Sequence, residues 1–312
     1  MTIARTRRST AERALPKGRY IPRRRRTIWP YAYAAPALVA LCLVFGYSFV
    51  EVVRYSLYSG SLGSLTYVGF SNYSALFTDP VFIQSLFDNL KLLVTVPVVT
   101  VLALIVALVI NSGVRGWRLY RVLIFFPYVL PAVAIGLAFS YILQGGGVFN
   151  TLAQDAHLNF LVHDWLGSPK WVIFSIGGVI VWQQLGFGVV VFTAALLAVP
   201  AELVEAAQID GARWWTVQWK IMIPHIRRII QFFVILEAIT ALSSVFTYVY
   251  ILTGGGPAYS SSVIEFYIYQ YGFEDGAIGI ASAAAVFLLA MSSVFIALYL
   301  WVRTRSAREE QS

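Results

Sequence analysis

Long apolar runs separated by shorter polar segments dominate the chain. A helix needs roughly 20 apolar residues to cross the hydrocarbon layer of a bilayer, and six runs of about this length are present. They lie at about residues 29–53, 90–110, 122–143, 171–199, 229–252 and 277–302. The pattern therefore predicts an all-α integral membrane protein with six transmembrane helices.

The same pattern predicts the domain organisation. Residues 1–28 are polar and basic, and we expect a disordered cytoplasmic arm there. Residues 29–303 are expected to form one six-helix transmembrane domain, and residues 304–312 a cytoplasmic tail. The first apolar run is too long for the apolar core of a cleaved signal peptide, so it is expected to be a retained helix.

Composition supports lipid as the solvent of most of the chain. Only 12% of the 312 residues are charged and the mean hydropathy is +0.72, whereas soluble domains carry about 25% charged residues. The single cysteine, Cys42, excludes an internal disulfide, and the three histidines show no metal-ligand spacing. We therefore expect neither a metal nor a cofactor in this chain.

Positive charge is concentrated on one side of the predicted membrane. The segments on the side of the two termini hold 20 Lys and Arg residues, and those on the other side hold three. Cytoplasmic loops carry such an excess, so both termini are predicted to be cytoplasmic. Because topology accounts for the net charge of +8, we do not expect nucleic-acid binding.

The segment between the fourth and fifth runs is the most informative one. Pro200 suits a first helical turn, and Glu202 and Glu205 lie near the positive end of the helix dipole. Gly211 is a helix stop, and a second helix is predicted at about 214–222, ending before Pro224. The pattern predicts a cytoplasmic helix–turn–helix.

The first of these helices has the features of a docking element. Its apolar stripe is predicted to contain Leu203, Ala206, Ala207 and Ile209. Small alanines allow another protein surface to approach closely, and the carboxylates can pair with basic groups on that surface. An amphipathic helix lying flat on lipid is the alternative interpretation.

Polar side chains inside the runs are candidates for a substrate pathway, because they are costly in lipid and face a cavity or a partner. The candidates are Tyr141, Gln144, Trp182, Gln183, Gln184, Glu237, Thr240, Ser243, Ser244, Thr247 and Tyr248. The spacing of the four Ser and Thr residues predicts one shared helix face. Aromatic rings beside hydroxyl and amide groups suit a sugar. For any single Ser or Thr, a bond to its own helix backbone is the favoured alternative, and Glu237 could instead pair within a dimer of membrane subunits.

One motif carries a resemblance to a known family. Glu205-Ala206-Ala207, three residues, Gly211, nine residues and Ile221-Met222-Ile223-Pro224 resemble the EAA signature of ABC importer permeases, with Ile223 where the family has Leu. The segments 69–73 and 252–257 resemble the G-x-x-N-Y and L-T-x-G-G-P segments of carbohydrate-type permeases. Together they cover residues 29–305 and point to the maltose and glycerol-phosphate permease family.

The resemblance implies a coupling helix that docks into a groove of a cytoplasmic ATPase. It assigns coupling to Glu202, Glu205, Ala206, Ala207, Asp210, Gly211 and Arg213. The implied partners are a second, usually different permease, two ATPase subunits and an extracytoplasmic solute-binding protein. ATP and Mg²⁺ belong to the ATPase, since the chain lacks the G-x-x-x-x-G-K-[ST] motif.

The implied function is that of a non-enzymatic permease in a prokaryotic cell membrane, importing a sugar, most simply a di- or oligosaccharide. Import of glycerol phosphate or a polyol is the alternative within the family. An ion-coupled secondary transporter would show internal repeats, which are not evident, and would have no use for the EAA segment. A membrane enzyme or a channel would need an acid–base cluster or a filter motif, and the runs contain neither.

Overall fold

The computed structural model describes residues 29–60, 63–113 and 116–309. The predicted arm at 1–28 lies outside the described residues. The chain divides into two compact units, one ending at Ser48 and one beginning at Phe49. The six-helix transmembrane domain expected for 29–303 stays a prediction.

The first candidate membrane helix consists of three segments. α1 (Trp29–Leu41) leads into a π-helical turn (Cys42–Gly46) and then α2 (Tyr47–Tyr55). Every side chain between residues 33 and 50 is exposed. Apolar side chains exposed all around a helix are compatible with lipid and not with water.

The remaining elements are short strands and helices of different lengths. β1 (Tyr58–Ser59) pairs antiparallel with β2 (Thr66–Tyr67). The helices that follow are α3 (Ser71–Thr78), α4 (Pro80–Leu92), α5 (Thr95–Asn111), α6 (Trp117–Val129), α7 (Ala132–Leu143), α8 (Val148–Asp155) and α9 (Val172–Leu197). After these come α10 (Ala201–Ile209), α11 (Trp214–Val217), α12 (Ile223–Ser243), α13 (Phe246–Leu252), α14 (Ile264–Tyr269) and α15 (Ile278–Glu309).

Five helical stretches in the described residues are long and apolar enough to cross a membrane. They are Tyr33–Tyr55, Pro80–Asn111, Ala132–Asp155, Val172–Leu197 and Ile278–Tyr299. A sixth is present if the pair Trp214–Ser243 and Phe246–Leu252, bent by 48°, forms one span. The prediction of a multi-spanning α-helical membrane protein is confirmed.

The third predicted span, 122–143, is wrong as one continuous helix. α6 ends at Val129 and α7 begins at Ala132. Leu130 between them is extended, with φ −72° and ψ 141°, because a residue that precedes proline is disfavoured in the helical region. Pro131 therefore breaks the span near its middle and frees the Leu130 carbonyl.

The fifth predicted span is also broken. α12 ends at Ser243, and Ser244 leaves the helical region with φ −143°. Thr247 lies beyond this break in α13. The predicted shared helix face of Thr240, Ser243, Ser244 and Thr247 is therefore wrong, since the helical periodicity does not continue through Ser244.

Two segments are more helical than the sequence indicated. Residues 59–88, which lie between the first two apolar runs, contain α3 and most of α4. α4 starts at Pro80 with Asp79 as its cap, and Val81 N donates to Asp79 Oδ1 over 2.8 Å. The second helix of the cytoplasmic segment does not end before Pro224. It passes through a π-helical turn (Gln218–Met222) into α12.

α9 forms the centre of the second unit and packs against α4, α5, α6, α12 and α13. Glycines permit this close packing. A Cβ at Gly186 would lie 2.7 Å from the Cα of Phe125 in α6, and one at Gly188 would lie 2.8 Å from Phe233 Cζ in α12. Small residues at these positions therefore bring the helix backbones together, as in other membrane bundles.

Candidate functional site

α10 is a short helix whose end is fixed by a glycine. Gly211 has φ +77°, a conformation that a side chain disfavours. The N–H of Gly211 donates to Gln208 O over 3.0 Å, and the N–H of Ala212 donates to Ala207 O over 2.9 Å. These two bonds form a Schellman motif, so the predicted stop at Gly211 is confirmed and the turn after α10 has a defined geometry.

The two faces of α10 differ in their surroundings. Val204 and Ala207 pack against the core between α5, α9 and α12, as does Ala212 after the turn. Glu202, Glu205, Ala206 and Ile209 follow helical spacing on the other face, and all four are exposed. The predicted apolar stripe is therefore divided, because Ala207 faces the protein while Leu203, Ala206 and Ile209 are exposed.

The exposed face combines acidic and small apolar residues. Ile209 is 86% exposed beside Ala206. Asp210 and Arg213 are also exposed, at the end of α10 and at the cap of α11. An apolar patch with carboxylates at its edge suits a protein surface that supplies an apolar pocket and basic groups.

The segment after α10 connects this face rigidly to the membrane helices. Val217 and Met222 are buried in the same core as α10. In the π-helical turn each N–H reaches the carbonyl five residues back. This widening lets Pro224 follow without breaking the helix, although proline lacks an N–H and crowds the carbonyl four residues before it. α11, the π-helical turn and α12 therefore form one helical stretch from Trp214 to Ser243.

A buried polar group joins the two broken helices. Gln183 of α9 donates from Nε2 to the freed carbonyl of Leu130 over 3.0 Å. Its Oε1 accepts a hydrogen bond from the hydroxyl of Tyr248 in α13. The side chain thus connects the break before α7 to the helix that follows the break at Ser244. Of the predicted pathway residues, the structure brings Gln183 and Tyr248 into direct contact.

Glu237 lies nearby in α12 and is 4% exposed. Its Oε1 has no hydrogen-bond partner among the described residues. The side chain is close enough to Tyr248 to interact with it electrostatically. A buried carboxylate oxygen without a partner is rare in folded proteins, so this position is suited to contact with a substrate or with a second subunit.

The other predicted pathway residues are placed separately. Thr240 and Ser243 donate to the carbonyls of Leu236 and Ile239 in their own helix, over 3.0 and 2.8 Å. A hydrogen bond to the residue's own helix backbone is the alternative favoured above for any single Ser or Thr. The remaining ones are exposed or half-buried: Tyr141, Gln144, Trp182, Gln184, Ser244 and Thr247.

The sequence analysis missed a polar cluster between α4 and α14. Asn89 accepts from Ile264 N over 2.8 Å and donates to Glu265 Oε2 over 3.3 Å. Burial raises the pKa of Glu265, and hydrogen bonds from backbone N–H groups and from Asn89 oppose this rise. The signal that could have found this cluster is the group of polar residues just before and at the start of the second apolar run: Gln84, Ser85, Asp88, Asn89 and Lys91.

The described residues combine apolar helices long enough to cross a membrane with breaks in two spans and with buried amide and carboxyl groups. These features are typical of membrane transport proteins. The family with the description "Binding-protein-dependent transport system inner membrane component" matches residues 99–308. The chain therefore belongs to this family of ABC importer permeases, and it is a transport component whose ATPase is a separate subunit.

Similar proteins agree with this assignment. The chain is 35% identical over 268 residues to the probable ABC transporter permease protein YurN of Bacillus subtilis, covering 84% of this chain and 91% of that protein. It is 36% identical over 245 residues to the diacetylchitobiose uptake system permease protein NgcF of Streptomyces coelicolor, covering 74% and 69%. A crystal structure of a bacterial ABC transporter that imports the acidic polysaccharide alginate has the same fold, with a TM-score of 0.79, 22% identity and coverage of 89% of this chain and 96% of that one.

Proposed function

We propose that this chain is one permease subunit of an ATP-driven importer that carries a sugar delivered by an extracytoplasmic binding protein. It pairs with a second permease, and the pair binds two ATPase subunits in the cytoplasm. ATP and Mg²⁺ bind to the ATPases. The termini and α10 face the cytoplasm, in agreement with the distribution of Lys and Arg.

The geometry of α10 is the observation that carries this proposal. One face is anchored in the protein core through Val204 and Ala207, and the opposite face presents Glu202, Glu205 and Ala206 to a partner. A helix that only lay on lipid would place its apolar face outward and its carboxylates in water. Here the carboxylates share a face with exposed small apolar residues, which favours a protein groove.

The connection between α10 and α12 suggests how ATP drives transport. Closure of the two ATPases moves the docked α10 helices towards each other. The continuous helical path from Trp214 to Ser243 transmits this movement to the break at Ser244. Broken spans change their angle at the break more readily than continuous helices, because hydrogen bonds are already interrupted there. The pathway between the permeases then opens outward.

Sugar is the substrate class best supported. Similar proteins include a permease of a diacetylchitobiose uptake system and an alginate importer. Within this chain, Glu237 has a buried carboxyl oxygen with no partner among the described residues, near the hydroxyl of Tyr248 inside the membrane domain. Such groups accept and donate the multiple hydrogen bonds that sugar hydroxyls require.

Purification of the tagged chain in mild detergent, followed by mass spectrometry, tests the assembly. We expect a second permease and an ATPase to copurify, and reconstituted vesicles to take up sugar only with ATP and the binding protein. Recovery of the chain alone, with uptake driven by an ion gradient and no ATP, would contradict the proposal and would indicate a secondary transporter.

A further inference from the structure

A cavity of about 430 Å³ lies beneath the loop that connects α13 to α14. It is lined by the glycine run 254–256 and by Tyr250, Tyr259, Phe266, Gln270 and Glu274. This volume is within the range of about 300–1,000 Å³ that is typical of small-molecule sites. Gln183, Glu237 and Tyr248 do not line this cavity, so it is separate from the polar contacts described above.

The cavity lies at the opposite end of the span from α10. α12 follows the α10–α11 segment directly, and α13 ends at Leu252 just before the loop. A path of this length crosses the hydrocarbon layer. If α10 faces the cytoplasm, as proposed above, the cavity opens to the extracytoplasmic side, where a binding protein would release its cargo.

The loop above the cavity is held in one conformation. Gly255 has φ +77°, and a Cβ there would lie 2.5 Å from Phe266 Cε1, so the backbone packs directly on this ring. Ser261 Oγ donates to Gly256 O over 2.6 Å, and Ser262 Oγ accepts from Ser85 Oγ of α4 over 2.8 Å. A loop fixed in this way can form a binding site at a lower entropic cost than a mobile loop.

Aromatic rings form one side of the site. The Tyr250 ring lies 5.3 Å from Tyr269 and 6.5 Å from Phe266, measured between ring centroids. Tyr259 lines the cavity from the loop with φ +62°, a backbone conformation that non-glycine residues rarely adopt and that often marks a functional position. Aromatic side chains present flat apolar faces on which the C–H face of a pyranose ring can pack.

Polar acceptors form the other side. Gln270 and Glu274 are the first and last residues of a π-helical turn, and both line the cavity. Gln270 Oε1 is buried and has no hydrogen-bond partner among the described residues. A hydroxyl group, such as one of a sugar, can donate the hydrogen bond that this carbonyl oxygen lacks.

We propose that this cavity is an entry subsite for a neutral saccharide, in which the rings pack on a pyranose and Gln270 and Glu274 accept hydrogen bonds from its hydroxyl groups. Within the part of the chain that the structure describes, its lining includes a carboxylate and no Lys, Arg or His. A phosphate ester or an acidic sugar would be repelled by Glu274, so the subsite favours a neutral sugar over glycerol phosphate. This inference rests on the proposed function for the direction of entry.

Protection of an introduced thiol tests the subsite in the complete complex. Ala258 lines the cavity and is exposed, so Ala258→Cys in a Cys42→Ser background adds a reactive thiol and removes no proposed contact. Phe273→Cys is the matched control, because Phe273 is 82% exposed and does not line the cavity. The label is a membrane-impermeant methanethiosulfonate applied from outside the vesicles.

The probes are maltose, cellobiose, diacetylchitobiose and raffinose, with sn-glycerol 3-phosphate as the anionic probe. We expect at least one neutral sugar to slow labelling of Ala258→Cys in a saturable manner and to leave Phe273→Cys unchanged. Adding Glu274→Ala should raise the half-protecting concentration by about three- to tenfold, as expected for one lost hydrogen bond. The neighbouring change Asp275→Ala should not raise it.

ATP-driven uptake by the wild-type complex is measured in parallel and separates the two proposals. If a sugar is imported but neither it nor any other neutral probe protects Ala258→Cys, the subsite is wrong and the proposed function stands. If no sugar is imported, the proposed function fails. The subsite then stands or falls on whether a neutral sugar protects the thiol of Ala258→Cys. Protection by sn-glycerol 3-phosphate alone, or no labelling from outside, would overturn the subsite.

Discussion

Gln183 is the single residue on which the arrangement of the broken helices depends most directly. It satisfies both the Leu130 carbonyl exposed by Pro131 and the hydroxyl of Tyr248. A buried polar group that loses its partner carries a desolvation cost which the rest of the protein must offset. The residue therefore stabilises two breaks that would otherwise weaken the membrane domain.

Gln183→Leu should lower the free energy of unfolding by about 1–3 kcal/mol, because the Leu130 carbonyl and the Tyr248 hydroxyl both lose their partner. The matched change Gln184→Leu, at the half-buried neighbour, should have a smaller effect. Thermal unfolding in lipid nanodiscs, followed by tryptophan fluorescence, measures both. Equal effects of the two changes would show that the bridge does not stabilise the fold.

Glu265 makes stability depend on pH. Burial raises its pKa in the folded protein above the ordinary value of 4.5. The folded state therefore binds more protons than the unfolded state above pH 4.5, and stability falls as pH rises from there through the folded pKa. The charged form is the one that burial disfavours.

Glu265→Gln removes this cost and keeps an acceptor for the Asn89 amide. The stability advantage of the variant over the wild type should be smallest at or below pH 4.5 and should grow as pH rises. Unfolding temperatures across a pH series measure this difference. Asp275→Asn, at an exposed acid, is the control and should show no such trend; a difference for Glu265→Gln that is independent of pH would contradict the assignment.

At the scale of elements, close packing of α9 against α6 holds the bundle together. Gly186→Ala should destabilise the protein by about 1–3 kcal/mol, because the new Cβ meets backbone atoms of Ile124 and Phe125 that cannot rotate away. Gly178→Ala in the same helix meets no atom within 4 Å, so stability should be unchanged or raised by up to about 1 kcal/mol. Urea unfolding curves of the two variants give the comparison, and a tolerated Gly186→Ala would argue against this helix contact.

The positions of the apolar helices were predictable from sequence, and their interruptions were not. A run such as 171–199 contains enough apolar residues to identify a span, and α9 occupies Val172–Leu197. The break at Leu130 was indicated by Pro131 but was concealed by the apolar residues on both sides. No proline or glycine in the sequence marks the break at Ser244. The break is stabilised by tertiary contacts, which the periodicity of apolar residues does not report.

The segment at residues 200–224 likewise contains one helix boundary that the sequence predicts correctly and one that it does not. Gly211 was identified as a stop because only a few backbone conformations end a helix, and glycine adopts them readily. Pro224 predicts the end of the second helix, but the helix continues because a π-helical turn accommodates the proline. The cavity beneath residues 254–256 depends on packing between α13, α14 and their loop, and no local sequence pattern reports such a contact.

At the scale of the whole molecule, ATP-driven import requires communication between the two membrane faces. In the proposed topology α10 presents Glu205 at the cytoplasmic face, and α12 and α13, which meet at the bend at Ser244, lead to the cavity at the other face. The polar contacts of Gln183 and Tyr248 lie between them. Binding of ATP at one end would then change access at the other, which is the requirement for active import.

The most direct test of the central claim is the amount of sugar imported per ATP hydrolysed by the reconstituted complex. Glu205→Lys should insert and fold, yet lower the amount of sugar imported per ATP hydrolysed by about tenfold or more, because a charge-assisted bond to the ATPase is replaced by repulsion. Asp155→Lys, the same change at an exposed acid of α8, should leave the ratio unchanged. Wild-type coupling in Glu205→Lys would contradict the account, because α10 could not then be the element that receives force from the ATPase.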